Sequence, residues 1–313
     1  MTQIATDDPR VEQMRNLNQM IEQLMADMPP IETVPPEETR AARREGRGAF
    51  PAPERLDDVA TDRTIRGRGG EIGLRVFTPE EVTGVYLHIH GGGWVLGENW
   101  QQDIPLWELA QRAKVAVASV EYRLAPEDPY PAGPDDCEDA ALWLVEHAQE
   151  EFGTQRLAIG GESAGAHLAA VSMLRLRDRH QMTPFSKAVL TFGVFDLSLT
   201  PSVRNWGDRK LILTQPVMEW FVDCFVPATT DEERRDPEFS PLYANLEGLC
   251  PALFTVGTAD PLLDDTLFME ARWRTAGNET ELRVYPEAAH GFVAFPADFS
   301  TDAREASARF LEV

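Results

Sequence analysis

A serine set between glycines, in Gly161-Glu162-Ser163-Ala164-Gly165, is where side-chain chemistry is easiest to argue in this chain. The five residues follow Arg156-Leu157-Ala158-Ile159-Gly160, which reads as a short buried strand. They precede His167-Leu168-Ala169-Ala170-Val171-Ser172-Met173-Leu174, which reads as a helix. A turn this tight leaves no room for side chains at its flanks. It lifts the serine oxygen beyond the sheet edge and aims the next N–H into the same space. Taken alone, the pattern also fits an ordinary glycine-rich turn; the strand before it and the helix after it favour a nucleophile.

A serine hydroxyl attacks poorly until a histidine takes its proton, and an acidic partner must hold that histidine in one tautomer. Asp260 closes the run Ala252-Leu253-Phe254-Thr255-Val256-Gly257-Thr258-Ala259, directly past a strand. His290 follows the strand-like Glu281-Leu282-Arg283-Val284-Tyr285 and is itself followed by Gly291-Phe292. The rivals fit less well. Asp264 and Asp265 read as first-turn carboxylates of the next helix, where they favour its dipole, and Asp196 begins a long insertion. His147 and His180 fall late in helices, His88 lies within a strand, and His167 is one turn into the helix after the serine.

His90-Gly91-Gly92-Gly93-Trp94 follows another strand, Val85-Tyr86-Leu87-His88-Ile89. Acyl transfer places negative charge on a carbonyl oxygen, and rigid backbone N–H groups can meet that charge. Three glycines let the backbone come close to a bound molecule. A flexible hairpin would also explain the glycines, but not their coincidence with the elbow and with two partners at strand ends.

Positioning these groups requires a sheet whose loops converge. Apolar strand candidates lie at 72–77, 84–89, 115–120, 156–159, 187–192, 252–256 and 281–285, with a weaker one at 61–66. Helix-length segments separate most of the later ones, at about 100–113, 134–152, 164–179, 264–277 and 300–311. The alternation predicts an α/β fold: a mostly parallel sheet of about eight strands with helices on both faces, its reactive groups beyond the carboxyl ends of the strands. Residues 1–55 read as a separate segment. There Asp8-Pro9 starts an amphipathic helix that places Val11, Met14, Leu17, Ile21, Leu24 and Met28 on one Met-rich face, suited to packing or to covering an apolar cavity. The Pro-, Glu- and Arg-rich stretch from Pro35 to Pro53 reads as a surface connection. Residues 56–313 form the main domain, interrupted at about 196–249 by an insertion too long for a simple crossover, expected to make a helical cap with the N-terminal helix.

With 313 residues and 43% hydrophobic content the chain can bury a sizeable core. Its net charge of -23 argues against nucleic acid and anionic membrane surfaces as partners, and against strongly anionic substrates. The first residues contain no basic start and no apolar run, which predicts a cytoplasmic protein without signal peptide or membrane helix. Cys137, Cys224 and Cys250 lack metal-ligand spacing and read as reduced thiols.

Together these motifs make the chain resemble the hormone-sensitive lipase-like branch of the alpha/beta hydrolases, the bacterial esterase group. The resemblance is carried by His90 to Trp94, by Tyr122-Arg123-Leu124-Ala125-Pro126-Glu127 with Pro129 to Ala132, by Gly161 to Ala169, by Asp260-Pro261-Leu262-Leu263-Asp264 and by His290-Gly291-Phe292. It covers roughly residues 56–313 and implies an alpha/beta hydrolase fold. It further implies Ser163 as nucleophile, His290 as general base, Asp260 as its orienting acid, and an oxyanion hole from the N–H groups of Gly92, Gly93 and Ala164. His90 and the 122–127 loop become supports, and no metal or organic cofactor is needed. Two positions depart from the family pattern: Glu162, where many members have Asp or Thr, and Ala166, where many have Gly. The expected activity is hydrolysis of short- to medium-chain carboxylic esters, with Trp94, Trp206, Trp220 and Phe221 as lining residues of the substrate pocket. Amidase, lactonase or acyltransferase chemistry on the same site is the alternative, and a ligand receptor of this fold is a further one that the presence of His290 disfavours. A small-molecule ester is the expected partner, with a homodimer possible.

Overall fold

The computed structural model describes residues 2–3, 8–48 and 50–312. Its strands are β1 (Thr2–Gln3), β2 (Ala60–Gly67), β3 (Gly70–Phe77), β4 (Gly84–Ile89), β5 (Val115–Glu121), β6 (Leu157–Glu162), β7 (Phe185–Thr191), β8 (Ala252–Ala259) and β9 (Thr280–Ala289). Its helices are α1 (Pro9–Ala26), α2 (Pro36–Glu45), α3 (Asp103–Ala113), α4 (Ala132–Phe152), α5 (Ala164–His180), α6 (Pro201–Arg204), α7 (Gln215–Phe225), α8 (Leu263–Thr275) and α9 (Asp298–Leu311). The strands form one sheet in the order β1-β9-β8-β7-β6-β4-β5-β3-β2. Among the described residues β3 alone runs opposite to the rest of the sheet, antiparallel to β2 and β5. This is the mostly parallel α/β sheet expected, with the two-residue β1 added beyond the eight strands marked out by the sequence.

Strands buried on both faces must be apolar on both, and the two sets of side chains enter different cores. Ala116, Ala118 and Val120 of β5 join Val85, Leu87 and Ile89 of β4 and Ile159 of β6 in one core, covered by Leu144 of α4, Leu168 and Met173 of α5 and Trp273 of α8. The alternate residues Val115, Val117, Tyr86, Ala158, Val189 and Leu253 pack on the other face, against Leu106 and Ala110 of α3 and Ala308 and Leu311 of α9. Two to three layers of this kind are what an alternating chain must build.

The topology decides where loops can meet. After β4 the chain crosses by α3 to β5 on one side, whereas after β6 it crosses by α5 to β7 on the other. Because β4 and β6 are parallel neighbours, with Ile89 opposite Gly161, the loops that leave their carboxyl ends open a crevice between them. Both glycine-rich motifs lie there.

Two segments outside the sheet differ in detail from the reading of the sequence. Helix α1 buries Val11, Met14, Asn18 and Ile21 along β9, beside Tyr285, Phe292 and Ala289. The stretch from Pro35 to Pro53, expected to be a connection, contains α2. Its Arg40 donates to the carbonyls of Val95 (2.8 Å) and Ala125 (2.9 Å) and pairs with Glu127. Between β7 and β8 the insertion carries α6 and α7. Among the described residues, no helix is long and apolar enough to cross a membrane.

The insertion is pinned at its start by Asp265, which is fully buried in the first turn of α8. Its Oδ1 accepts from the N–H groups of Phe195 (2.7 Å) and Asp196 (2.9 Å), and its Oδ2 accepts from Thr200 Oγ (2.6 Å). Burial pushes this carboxyl up from 3.8 to about 7, against the lowering effect of those donors. Between these two values the folded protein holds a proton that the unfolded chain has released, so the contribution to stability is present at low pH and is lost as pH rises towards 7. Denaturation measured from pH 4 to 7 should therefore show this loss in the wild type. Asp265→Asn keeps the acceptor for both N–H groups and should flatten that part of the profile; an unchanged profile contradicts the assignment.

Candidate active site

The elbow is built by close approach. A Cβ on Gly161 would lie 2.0 Å from the carbonyl oxygen of Ile89, and one on Gly165 would lie 1.9 Å from the same atom. Glycine at both positions lets the turn sit directly on the end of β4. Between them Ser163 adopts φ 56° and ψ -120°, a left-handed conformation that costs a non-glycine residue energy and is held by its surroundings. Gly165→Ala should destabilise the fold by about 3 kcal/mol or more, since backbone rather than a mobile side chain must give way. The midpoint of chemical denaturation measures it, and a shift below about 1 kcal/mol contradicts this packing.

His290 follows β9 and Asp260 follows β8, so both reach the crevice from neighbouring strands. His290 Nε2 lies 3.1 Å from Ser163 Oγ, and His290 Nδ1 lies 2.9 Å from Asp260 Oδ2 and 3.1 Å from Oδ1. A carboxylate only accepts, so Nδ1 carries the proton and Nε2 presents its lone pair to the serine hydroxyl. Asp260 Oδ1 also accepts from Leu262 N at 2.8 Å, which fixes the carboxylate. Asp260 is 1% and His290 8% exposed, so the proton path is sheltered from bulk water.

Gly92 and Gly93 stand opposite, with φ of 120° and 61°. A Cβ on Gly92 would strike Leu96 O at 2.1 Å, and one on Gly93 would enter the ring of Phe221. Ala164 occupies the first position of α5, where the N–H has no acceptor within the helix. The loop that carries the glycines is held from behind. His90 bonds its own neighbour's carbonyl, Gly91 O, at 2.9 Å and stacks on Tyr122 at 4.3 Å, while Tyr122 Oη donates to His90 O. Burial lowers the His90 pKa to about 4, so this ring stays neutral. Trp94 donates to His167 Nδ1 (3.1 Å) and stacks on Phe225 (4.6 Å), tying the loop to α5 and α7. His167 is neutral for the same reason, with its pKa lowered by burial to about 4, and its Nε2 bonds Phe239 O.

A cavity of about 610 Å³ opens in front of Ser163 and His290. Trp94 and Phe221 line it, but Trp206 and Trp220 do not. On α7 the residues that face the cavity are Val217, Met218 and Phe221, spaced at one helical turn, which rotates Trp220 away. Trp206 lies in the turn after α6 and donates its indole N–H to Arg209 O. Val217, Met218, Leu213, Phe192 and Gln102 are lining residues that the sequence reading missed; the helical spacing after the Thr214 cap would have found the first two. From the N-terminal segment the cavity is reached by Ile31 and Arg43, not by α1.

The remaining carboxylates are engaged in structure. Asp264 accepts from Ser202 N, and Asp196 accepts from Ser198 and from Tyr243 Oη.

Residues 86–294 match a family described as the alpha/beta hydrolase fold. The chain is 36% identical over 263 residues to the carboxylic ester hydrolase LipN of Mycobacterium tuberculosis, covering 82% of this chain and 69% of that protein. It is 32% identical to an ethyl acetate hydrolase of Pseudomonas putida over 84% of this chain and 85% of that one. Among solved structures it is similar to a hyperthermophilic esterase from Pyrobaculum calidifontis, with a TM-score of 0.81, 30% identity and coverage of 95% of both chains.

Proposed function

The chain belongs to the hormone-sensitive lipase-like branch of the alpha/beta hydrolases and is a hydrolase of ester bonds, and on that premise we propose that it is a serine carboxylesterase for short- to medium-chain esters. The observation that carries the mechanism is the hydrogen-bonded series Ser163, His290, Asp260.

Ser163 Oγ attacks the ester carbonyl as its proton passes to His290 Nε2. The oxyanion that forms is met by the N–H groups of Gly92, Gly93 and Ala164. Asp260 stabilises the imidazolium, and His290 then gives its proton to the departing alcohol as the carbon–oxygen bond breaks. Water, deprotonated by His290, attacks the acyl-enzyme in the same way and releases the acid. The insertion at about 196–249, joined by Ile31 and Arg43 of the segment 1–55, acts as the cap over the 56–313 catalytic domain.

Chain preference follows from the walls. Leu213, Val217, Met218 and Phe221 present apolar surface, and the cavity volume holds a small ester. Across a series of esters from acetyl to oleoyl, with amides and lactones alongside, kcat/KM should peak at short or medium acyl chains and fall roughly tenfold or more by oleoyl. Equal turnover of acetyl and oleoyl esters contradicts the chain preference, and faster cleavage of the matched amides contradicts the esterase reading.

A further inference from the structure

The residue immediately before the nucleophile is charged, and its surroundings give that charge a direction. Glu162 ends β6 and lines the same cavity as Ser163, with 21% of its side chain exposed. Its Oε2 accepts from His88 Nε2 (3.1 Å) and from Gln102 Nε2 (3.2 Å). His88 is fully buried and bonded in turn by its Nδ1 to Ser119 Oγ (2.9 Å), so one carboxylate oxygen is fixed by Gln102 and, from behind, by the chain of His88 and Ser119. The other oxygen, Oε1, has no partner among the described residues and is not sealed from solvent. Burial works to raise this carboxyl, yet His88 and Gln102 hold it below the usual carboxylate range, so it is an anion at neutral pH.

Of the other charged groups at the cavity wall, Arg112 pairs with Glu305 and Arg304 donates to Val293 O, while the side chains of Arg43 from α2 and Glu108 from α3 have no hydrogen-bond partner among the described residues. His88 and Gln102 hold the charge through Oε2, which leaves Oε1, beside the reacting serine and at a wall shared with Tyr86, Val189 and Phe192, as an acceptor without a partner among the described residues. We propose that Glu162 Oε1 is a specificity-determining subsite of this esterase, taking a group of positive potential on one chain of the substrate, either a hydroxyl that donates its O–H or an ammonium. The inference rests on the esterase reading and names which esters the site favours. An ester bearing a carboxylate at that point is correspondingly rejected, in keeping with the net charge of -23.

The test uses isosteric pairs. Butyrylcholine is compared with neohexyl butyrate, and ethylene glycol monobutyrate with propyl butyrate; a second series carries the same groups at the end of the acyl chain. In at least one series the wild type should favour the charged or hydroxylated member by about tenfold in kcat/KM. Glu162→Gln should bring the ammonium ratio close to one while leaving part of the hydroxyl ratio, because the amide oxygen still accepts; Glu162→Leu should remove both. Ratios within one variant cancel any general loss of activity from a change beside Ser163. Wild-type ratios near one in both series overturn the proposal without any variant, as does a preference that survives unchanged in both variants. Hydrolysis of propyl butyrate in the same runs reports separately on the esterase reading.

Discussion

Ser163→Ala is expected to lower kcat for a butyryl ester by about 10⁴- to 10⁶-fold, leaving substrate binding nearly intact. The reason is geometric. The hydroxyl 3.1 Å from His290 Nε2 is the group whose proton the imidazole can accept, and without it there is no covalent intermediate to divide the reaction into two easier steps. What remains is water activated by His290 beside the N–H groups of Gly92, Gly93 and Ala164, which accounts for a residual rate above the uncatalysed one. Alanine fits the position because Ser163 already adopts its φ of 56° under the constraint of β4 and α5, so the variant should unfold at nearly the wild-type denaturant concentration. Stopped-flow hydrolysis should show no burst. A variant within tenfold of wild type would remove Ser163 from the chemistry.

Asp260→Asn is expected to cost about 10⁴-fold in kcat with little change in KM. Both carboxylate oxygens lie within 3.1 Å of His290 Nδ1, and Oδ1 also accepts from Leu262 N. An asparagine can keep the bond to Leu262 with its oxygen, and that choice turns its NH₂ towards Nδ1. The histidine then accepts at Nδ1 and carries its proton on Nε2, where it faces Ser163 and cannot act as a base. Burial at 1% exposure leaves no bulk water to replace the lost acceptor. The measurement is kcat at a pH where the wild type is fully active, together with the histidine ring nitrogen shifts by NMR, which report the tautomer. A loss of less than tenfold contradicts the orienting role given to Asp260.

The residues that meet at the elbow are legible in the sequence because each ends a strand, and in a parallel sheet strand ends gather along one edge. Nothing but the order of apolar runs is needed to bring Ser163, Asp260 and His290 to the same side. Boundaries were less legible where the chain continues past its apolar residues. β6 runs through Gly160 and Gly161 to Glu162, and β9 runs on to Ala289, one residue before His290, because sheet hydrogen bonds extend beyond the hydrophobic pattern. Helix α2 is hard to read from the sequence because Pro36-Glu-Glu-Thr-Arg-Ala-Ala-Arg-Arg-Glu45 has no apolar stripe. It is anchored by Arg40 to two carbonyls, although Pro36 at its start, acids in its first turn and Gly46 in the left-handed conformation at its end are ordinary helix signals. Trp206 and Trp220 belong to the cap segment expected to line the cavity, but the rotational phase of α7, which Thr214 sets by capping Val217 N, turns Trp220 away, and Trp206 lies outside α7 with its indole N–H on Arg209 O. For Glu162 the residue itself was conspicuous and its role was not. Its partners His88 and Gln102 come from β4 and the residue before α3, and no spacing in the sequence joins them to it.

Ester cleavage is expected to pass through an acyl group carried on Ser163. Intact-mass spectrometry after incubation with an alkyl fluorophosphonate, followed by peptide mapping, tests it most directly, because the phosphorus is attacked by an activated serine and the adduct does not turn over. The wild type should gain one phosphonyl group, mapped to Ser163, with esterase activity lost in proportion, and Ser163→Ala should remain unmodified. A stoichiometric adduct on another residue, or full inhibition with Ser163 unmodified, would place the nucleophile elsewhere.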